Sequence, residues 1–162
     1  MIAWLVSRAK PRRRYGSYST VVVCLTLFVL AGCLSKPIAR EDETTLDFRQ
    51  ISQAYESVQS TKRRPPKDVA ELRQVLQDFH DAKFGDPPDE VLTSKRDGLP
   101  YGIVFGLDLG AEVSNDIFIY EQKGAEGTHY VMTMSRVVQQ IPDADFAQQT
   151  FARGHRPGSA GK

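Results

Sequence analysis

Apolar residues along this chain change their spacing several times, and each change marks a different kind of segment. From Val21 to Leu34 they run almost unbroken for 14 residues, interrupted only by Thr26 and Gly32. From Leu34 to about Thr45 the chain is polar, charged and without apolar period, as a tether should read. From Leu46 to Thr61 apolar residues recur at Phe48, Ile51, Tyr55 and Val58, a 3, 4, 3 spacing that predicts an amphipathic helix. Pro65-Pro66 stop it, because proline disfavours α geometry at Arg64 and supplies no N–H. Asp68 followed by Glu71 has capping-box spacing, and Val69, Leu72, Leu76 and Phe79 predict a second helix to about Phe79.

Asp86-Pro87-Pro88 and Asp97-Gly98-Leu99-Pro100 are turn signatures, so 85–100 reads as a loop with one short extended stretch at Val91-Leu92. Tyr101 to Leu107, Ile117 to Glu121, His129 to Met134 and Arg136 to Ile141 are rich in β-branched and aromatic residues and predict antiparallel strands. Alternation places Ile117, Ile119 and Glu121 on one face of their strand and Phe118 and Tyr120 on the other. With apolar residues on both faces, at least part of the sheet should be covered twice, by a helix on one side. Pro142-Asp143-Ala144-Asp145-Phe146 suits the first turn of a helix running to about Ala152. The expected fold class is therefore α+β: two N-terminal amphipathic helices packed on a three- to four-stranded antiparallel sheet, with a short C-terminal helix. The expected segments are 1–32 as a signal, 33–45 as a flexible tether, 46–152 as the domain and 153–162 as a disordered tail.

Composition changes this picture at one end. Arg8, Lys10, Arg12, Arg13 and Arg14 precede the apolar run from Val21 to Leu30, and small Ala31-Gly32 follow it, the order of a secretory signal. All 20 acidic residues lie after Cys33, so removing the five basic residues of the signal leaves 16 basic ones and a net charge of −4. That balance offers no clustered basic face for nucleic acid. The two cysteines are Cys24 and Cys33, so the domain itself has no disulfide, thiolate ligand or thiol nucleophile. A single-pass helix and a twin-arginine signal are alternative readings. The apolar run is shorter than the roughly 20 residues that span a bilayer, and Tyr15-Gly16-Ser17 lacks an apolar pair after the arginines.

Leu30-Ala31-Gly32-Cys33 matches a lipobox, and the leader resembles that of small bacterial lipoproteins of undescribed function. The resemblance implies cleavage before Cys33, with Leu30, Ala31 and Gly32 read by the signal peptidase, and lipidation of Cys33, diacylated on sulfur and acylated again at its new N-terminus. A thiolate is the nucleophile suited to that transfer. One acyl chain binds a membrane only marginally, whereas several hold it stably. The membrane is then the first partner, reached through lipid on Cys33. Leu34 rather than Asp after the anchor favours the outer membrane, with the domain in the periplasm.

A second resemblance covers about residues 46–152. The opening helix ending near Tyr55, the run Pro65-Pro66-Lys67-Asp68-Val69-Ala70-Glu71-Leu72, the run Arg96-Asp97-Gly98-Leu99-Pro100-Tyr101 and the close from Tyr130-Val131-Met132 to Asp143 and Phe146 are similar to the soluble heads of type II secretion pseudopilins. Pseudopilins carry a long apolar helix after a prepilin cleavage site, where this chain has the lipobox. The resemblance implies a fold and no activity.

The candidate chemistry is sparse. His80-Asp81 are adjacent and so about 100° apart on a helix, His129 begins a strand, and His155 lies in the expected tail. Asp86, Asp89, Glu90, Asp97 and Asp108 could gather as oxygen ligands, without an Asp-x-Asp-x-Asp-Gly loop. Ser94, Ser114 and Ser135 stand in no nucleophile motif. Gly102, Gly106 and Gly110 lack phosphate-loop spacing and mark a bulge or close backbone approach. Lys62-Arg63-Arg64-Lys67 could meet anionic headgroups or simply be a solvated turn. The expectation is a non-enzymatic, membrane-anchored binding or structural domain of the cell envelope, with no metal or cofactor and an unidentified protein or envelope partner. The alternatives are a pseudopilin-like component of a secretion assembly, or a metal-dependent envelope protein using the acidic loop 85–108.

Overall fold

The computed structural model describes residues 42–111 and 113–158; Leu30 to Cys33, the expected signal and the expected tether up to residue 41 lie outside them. Helix α1 spans Glu43–Lys62. Its first turn is capped by Asp42, which accepts from the Thr44 N–H at 3.0 Å, and Arg63 ends it in the left-handed region at φ 52°. The boundary expected at 46 thus falls one turn inside the helix, because Asp42 caps it and Glu43 meets its positive end. The buried stripe is Phe48, Ile51, Ala54, Tyr55 and Val58. Helix α2, Val69–Asp81, opens with Asp68 accepting from the Glu71 N–H at 3.1 Å, while Glu71 accepts from the Lys67 N–H. Leu72 and Leu76 are buried, whereas Val69 sits in the first turn and is half-exposed.

The expected loop 85–100 contains a short helix, α3, Pro88–Val91, in place of an extended stretch. Proline at its first position is pre-set for helix, and its turn carries Val91 and Leu92 into the core.

The sheet is an antiparallel meander of β1 (Gly102–Ile103), β2 (Ile117–Tyr120), β3 (Thr128–Thr133) and β4 (Val138–Pro142), in that spatial order. Strand β1 is shorter than the apolar run 101–107. Gly106 turns away at φ 78°, and the next N–H, that of Leu107, donates to the Tyr55 hydroxyl of α1 at 2.7 Å. In β2 the register shifts between Ile117 and Ile119. That irregularity places Ile117 with Tyr120 in one apolar cluster and Ile119 with Phe118 in the other, so simple alternation misassigns Ile117. Helix α4, Asp143–Phe146, ends well before Ala152. The chain is drawn back to the sheet, where the Ile117 N–H donates to the Thr150 carbonyl at 3.0 Å and Phe151 bridges Ile117 in parallel.

The domain is α+β, with four helices and a four-stranded antiparallel sheet among the described residues. On one face Tyr55 meets Phe118 at 6.0 Å and Phe48 meets Tyr101 at 4.9 Å, joining helix and strand residues in the larger core. On the other, Ile117, Tyr120, Val131, Ile141, Phe146 and Phe151 form a second cluster. At the start of the expected tail, Ala152–Gly154 form a 3-10 turn, and His155 packs on Tyr120 and Phe151. No described helix is long and apolar enough to cross a membrane.

Candidate functional site

The residue that follows β2 is Glu121, a carboxylate with no exposed surface. Its Oε1 accepts from Ser94 Oγ at 2.9 Å, and its Oε2 accepts from Arg96 Nη1 at 2.6 Å and from the Tyr130 N–H at 2.8 Å. The same guanidinium donates to the Ala125 carbonyl and to Thr128 Oγ1, and lies 4.7 Å above the Tyr130 ring. Asp97 accepts from the Lys123 and Gly124 N–H groups at 3.1 and 3.0 Å. The Ser94–Asp97 loop is thereby fastened to the β2–β3 turn through charge-assisted bonds, the stronger class of hydrogen bond.

His129 extends this centre to the outer face. Its Nδ1–H donates to the Glu121 carbonyl at 3.0 Å, its Nε2 is 3.3 Å from Asp143 Oδ1, and its ring stacks on Phe146 at 3.9 Å. Both hydrogen-bonding partners are acceptor groups. Two clefts border Asp143 and Phe146. One of about 500 Å³ is lined by Arg96, Asp97, the 123–127 turn and Asp143. The other, of about 660 Å³, is lined by Phe146, Phe151, His155, Arg156 and their neighbours. His155 Nε2, in its lining, is 2.8 Å from the Tyr120 hydroxyl. Asp143 and Phe146, three residues apart on α4, therefore connect the two clefts through His129.

A second buried acid lies on α1. Asp47, 3% exposed, accepts from the Tyr101 hydroxyl at 3.0 Å. Burial pushes its pKa up to about 6, against the lowering effect of that hydrogen bond and of Lys95.

The structure disperses the other candidates. His80 Nδ1 is 3.3 Å from the Gly85 carbonyl. Asp86 pairs with Gln50, Asp89 with Arg73, Asp97 with the β2–β3 turn, and Asp108 with Gln59 and the Gly110 N–H, while Glu90 is exposed on α3. Among the described residues no three His, Cys, Asp or Glu side chains gather as a metal site. Ser94 serves Glu121, Ser114 is 3.6 Å from Met134 Sδ, and Ser135 is 2.8 Å from Thr133 Oγ1. Gly102 lies against the Tyr120 ring, where a Cβ would come within 2.2 Å. Lys62 and Arg64 both pair with Glu71. This basic turn sits at the far end of α1 from Asp42, about 30 Å away by helix rise.

Sequence reasoning missed the Glu121–Arg96 and Asp47–Tyr101 pairs. The available signal was a carboxylate ending an apolar strand, Ile117 to Glu121, and another inside an apolar helix stripe; a charge in such a place is paired when buried. Comparison of the chain with protein-family models, with curated proteins and with solved structures gives no match.

Proposed function

We propose that this chain is a lipoprotein of the cell envelope, anchored through lipid on Cys33, whose small domain binds or braces a protein or envelope partner and performs no catalysis. The observation that carries the reading is the run Leu30-Ala31-Gly32-Cys33 behind a basic and apolar leader, nine residues ahead of the Asp42 cap. That spacing lets the domain stand at most about 30 Å from the lipid. In this reading the two N-terminal amphipathic helices, packed on the antiparallel sheet, form the body of the domain. The clefts joined by His129 offer a rigid aromatic and hydrogen-bonding surface for a partner, the kind of surface on which interface anchors act. The domain lies in the periplasm, and Leu34 favours the outer membrane.

A second reading, a pseudopilin-like component of a secretion assembly, is favoured by a long opening helix ahead of an antiparallel meander. It predicts co-purification with secretion proteins. The first reading is tested by intact mass of membrane-extracted chain against Cys33→Ser. Residues 33–162 plus lipid, with the variant left uncleaved, support it; a full-length unlipidated mass overturns it.

A further inference from the structure

Among the described residues, strand β4 forms one edge of the sheet and is hydrogen-bonded to β3 alone. Which of its groups point outward follows from Tyr130. That residue sits opposite Gln140, yet its N–H donates to Glu121 Oε2 and its carbonyl accepts from the Glu121 N–H at 3.0 Å. Tyr130 therefore turns its main chain toward β2, and Tyr130–Gln140 is a non-hydrogen-bonded pair of the β3–β4 ladder. By the alternation of antiparallel ladders, Gln139 and Ile141 bond β3, while Val138 and Gln140 direct N–H and C=O away from the sheet.

This edge lacks the usual protections. Val138 to Ile141 carry no charge, and Pro142 guards only the last position. Apolar surface flanks it: Val137 is 49% exposed at the hairpin, and Leu46 is 42% exposed. Helical spacing puts Leu46 on the stripe of α1 that also holds Asp42 and Glu56, and those two bond Tyr130 and Arg136 of the β3–β4 hairpin. Charges at the strand ends are opposite, with Arg136 before it and Asp143 and Asp145 after it.

We infer that β4 is the self-association edge of this chain, pairing antiparallel with β4 of a second copy about a two-fold axis through Gln139. In that register Val138 of each copy faces Gln140 of the other, giving four main-chain hydrogen bonds without using Pro142. Arg136 of one copy then lies beside the Pro142–Asp143 end of the other, in the reciprocal manner that a two-fold contact requires. The two β3 strands stand three spacings apart, about 14 Å, wider than the 8–10 Å at which helices pack, so the two α1 helices fit side by side. The inference does not depend on lipidation of Cys33.

The test is disulfide trapping of the full chain in the cells that express it. Facing residues of a non-hydrogen-bonded pair approach closely enough for a disulfide, so Gln139→Cys should convert most of the chain to a covalent dimer under mild oxidant. Wild type and Gln77→Cys, on the exposed face of α2, report any background from Cys33. Adding Gln140→Pro removes an outward N–H that β3 does not use and should lower trapping at least about tenfold. Gln140→Lys, which keeps the main chain and sets like charges near the axis, gives the same reading if the proline variant does not fold. Trapping of Gln139→Cys no greater than that of Gln77→Cys, or trapping unaffected at Gln140, overturns the inference. Capture of a different protein by Gln139→Cys without the dimer overturns it in favour of a strand donated by another chain.

Discussion

Arg96 and Glu121 lie 25 residues apart in sequence and 2.6 Å apart in space, and Glu121 is wholly buried. Breaking such a pair leaves an uncompensated charge. Arg96→Ala should therefore destabilise the domain by about 3–5 kcal/mol, read as a fall in the urea midpoint. Glu121→Gln should cost less, since an amide still accepts from Ser94 or Tyr130. A double-mutant cycle that returned no coupling between the two positions would refute the pair as an energetic unit.

Asp47 supplies the pH dependence. Its folded-state pKa stands near 6 against 3.8 for the free side chain, so the folded protein holds this proton more tightly than the unfolded chain does. The stabilising effect is present in full below the lower value and is lost as pH rises through the higher one. Its loss by neutral pH amounts to about 3 kcal/mol. Asp47→Asn should flatten the stability profile across that window and raise the urea midpoint at neutral pH relative to wild type. An unchanged profile would show that Tyr101 and Lys95 already compensate for burial.

Gly102 faces the Tyr120 ring, and a Cβ would lie 2.2 Å from Cζ and 2.5 Å from Cε2. Gly102→Ala must displace a ring held between Phe146, Phe151 and His155. Overpacking of this kind costs about 1–3 kcal/mol, visible as a lower melting temperature.

Phe146 and Phe84 separate identical residues by context. Phe146 is 8% exposed and stacks on His129, whereas Phe84 is 86% exposed. Phe146→Ala should cost about 3–5 kcal/mol, while Phe84→Ser should stay within about 0.5 kcal/mol of wild type. Equal effects in thermal unfolding would contradict the burial of the outer cluster.

His155 anchors the end of the described chain to the sheet through Tyr120. His155→Ala should cost about 1 kcal/mol, the net worth of one hydrogen bond, and should speed proteolysis after Ala152. Cleavage at the same rate in both proteins would return this segment to the free tail that its composition suggests.

Local physics made part of this protein legible from its residues. The 3, 4, 3 spacing of Phe48, Ile51, Tyr55 and Val58 is the geometry of a helix face. The Asp68–Glu71 spacing is that of a cap, and the β-branched runs at 117–121 and 129–134 suit a pleated sheet with two covered faces. Each depends on neighbours within one turn or one strand. The tertiary structure decided what local spacing cannot encode. It closed Arg96 onto Glu121 and Tyr101 onto Asp47, put a bulge between Ile117 and Ile119, and cut the helix after Asp143 short by drawing Phe151 beside Ile117. It also left Asp86, Asp89, Asp97 and Asp108 with four separate partners. The reason is that a buried charge or an unpaired main-chain group is satisfied by whatever lies nearest in space, and that neighbour is set by how the whole chain packs.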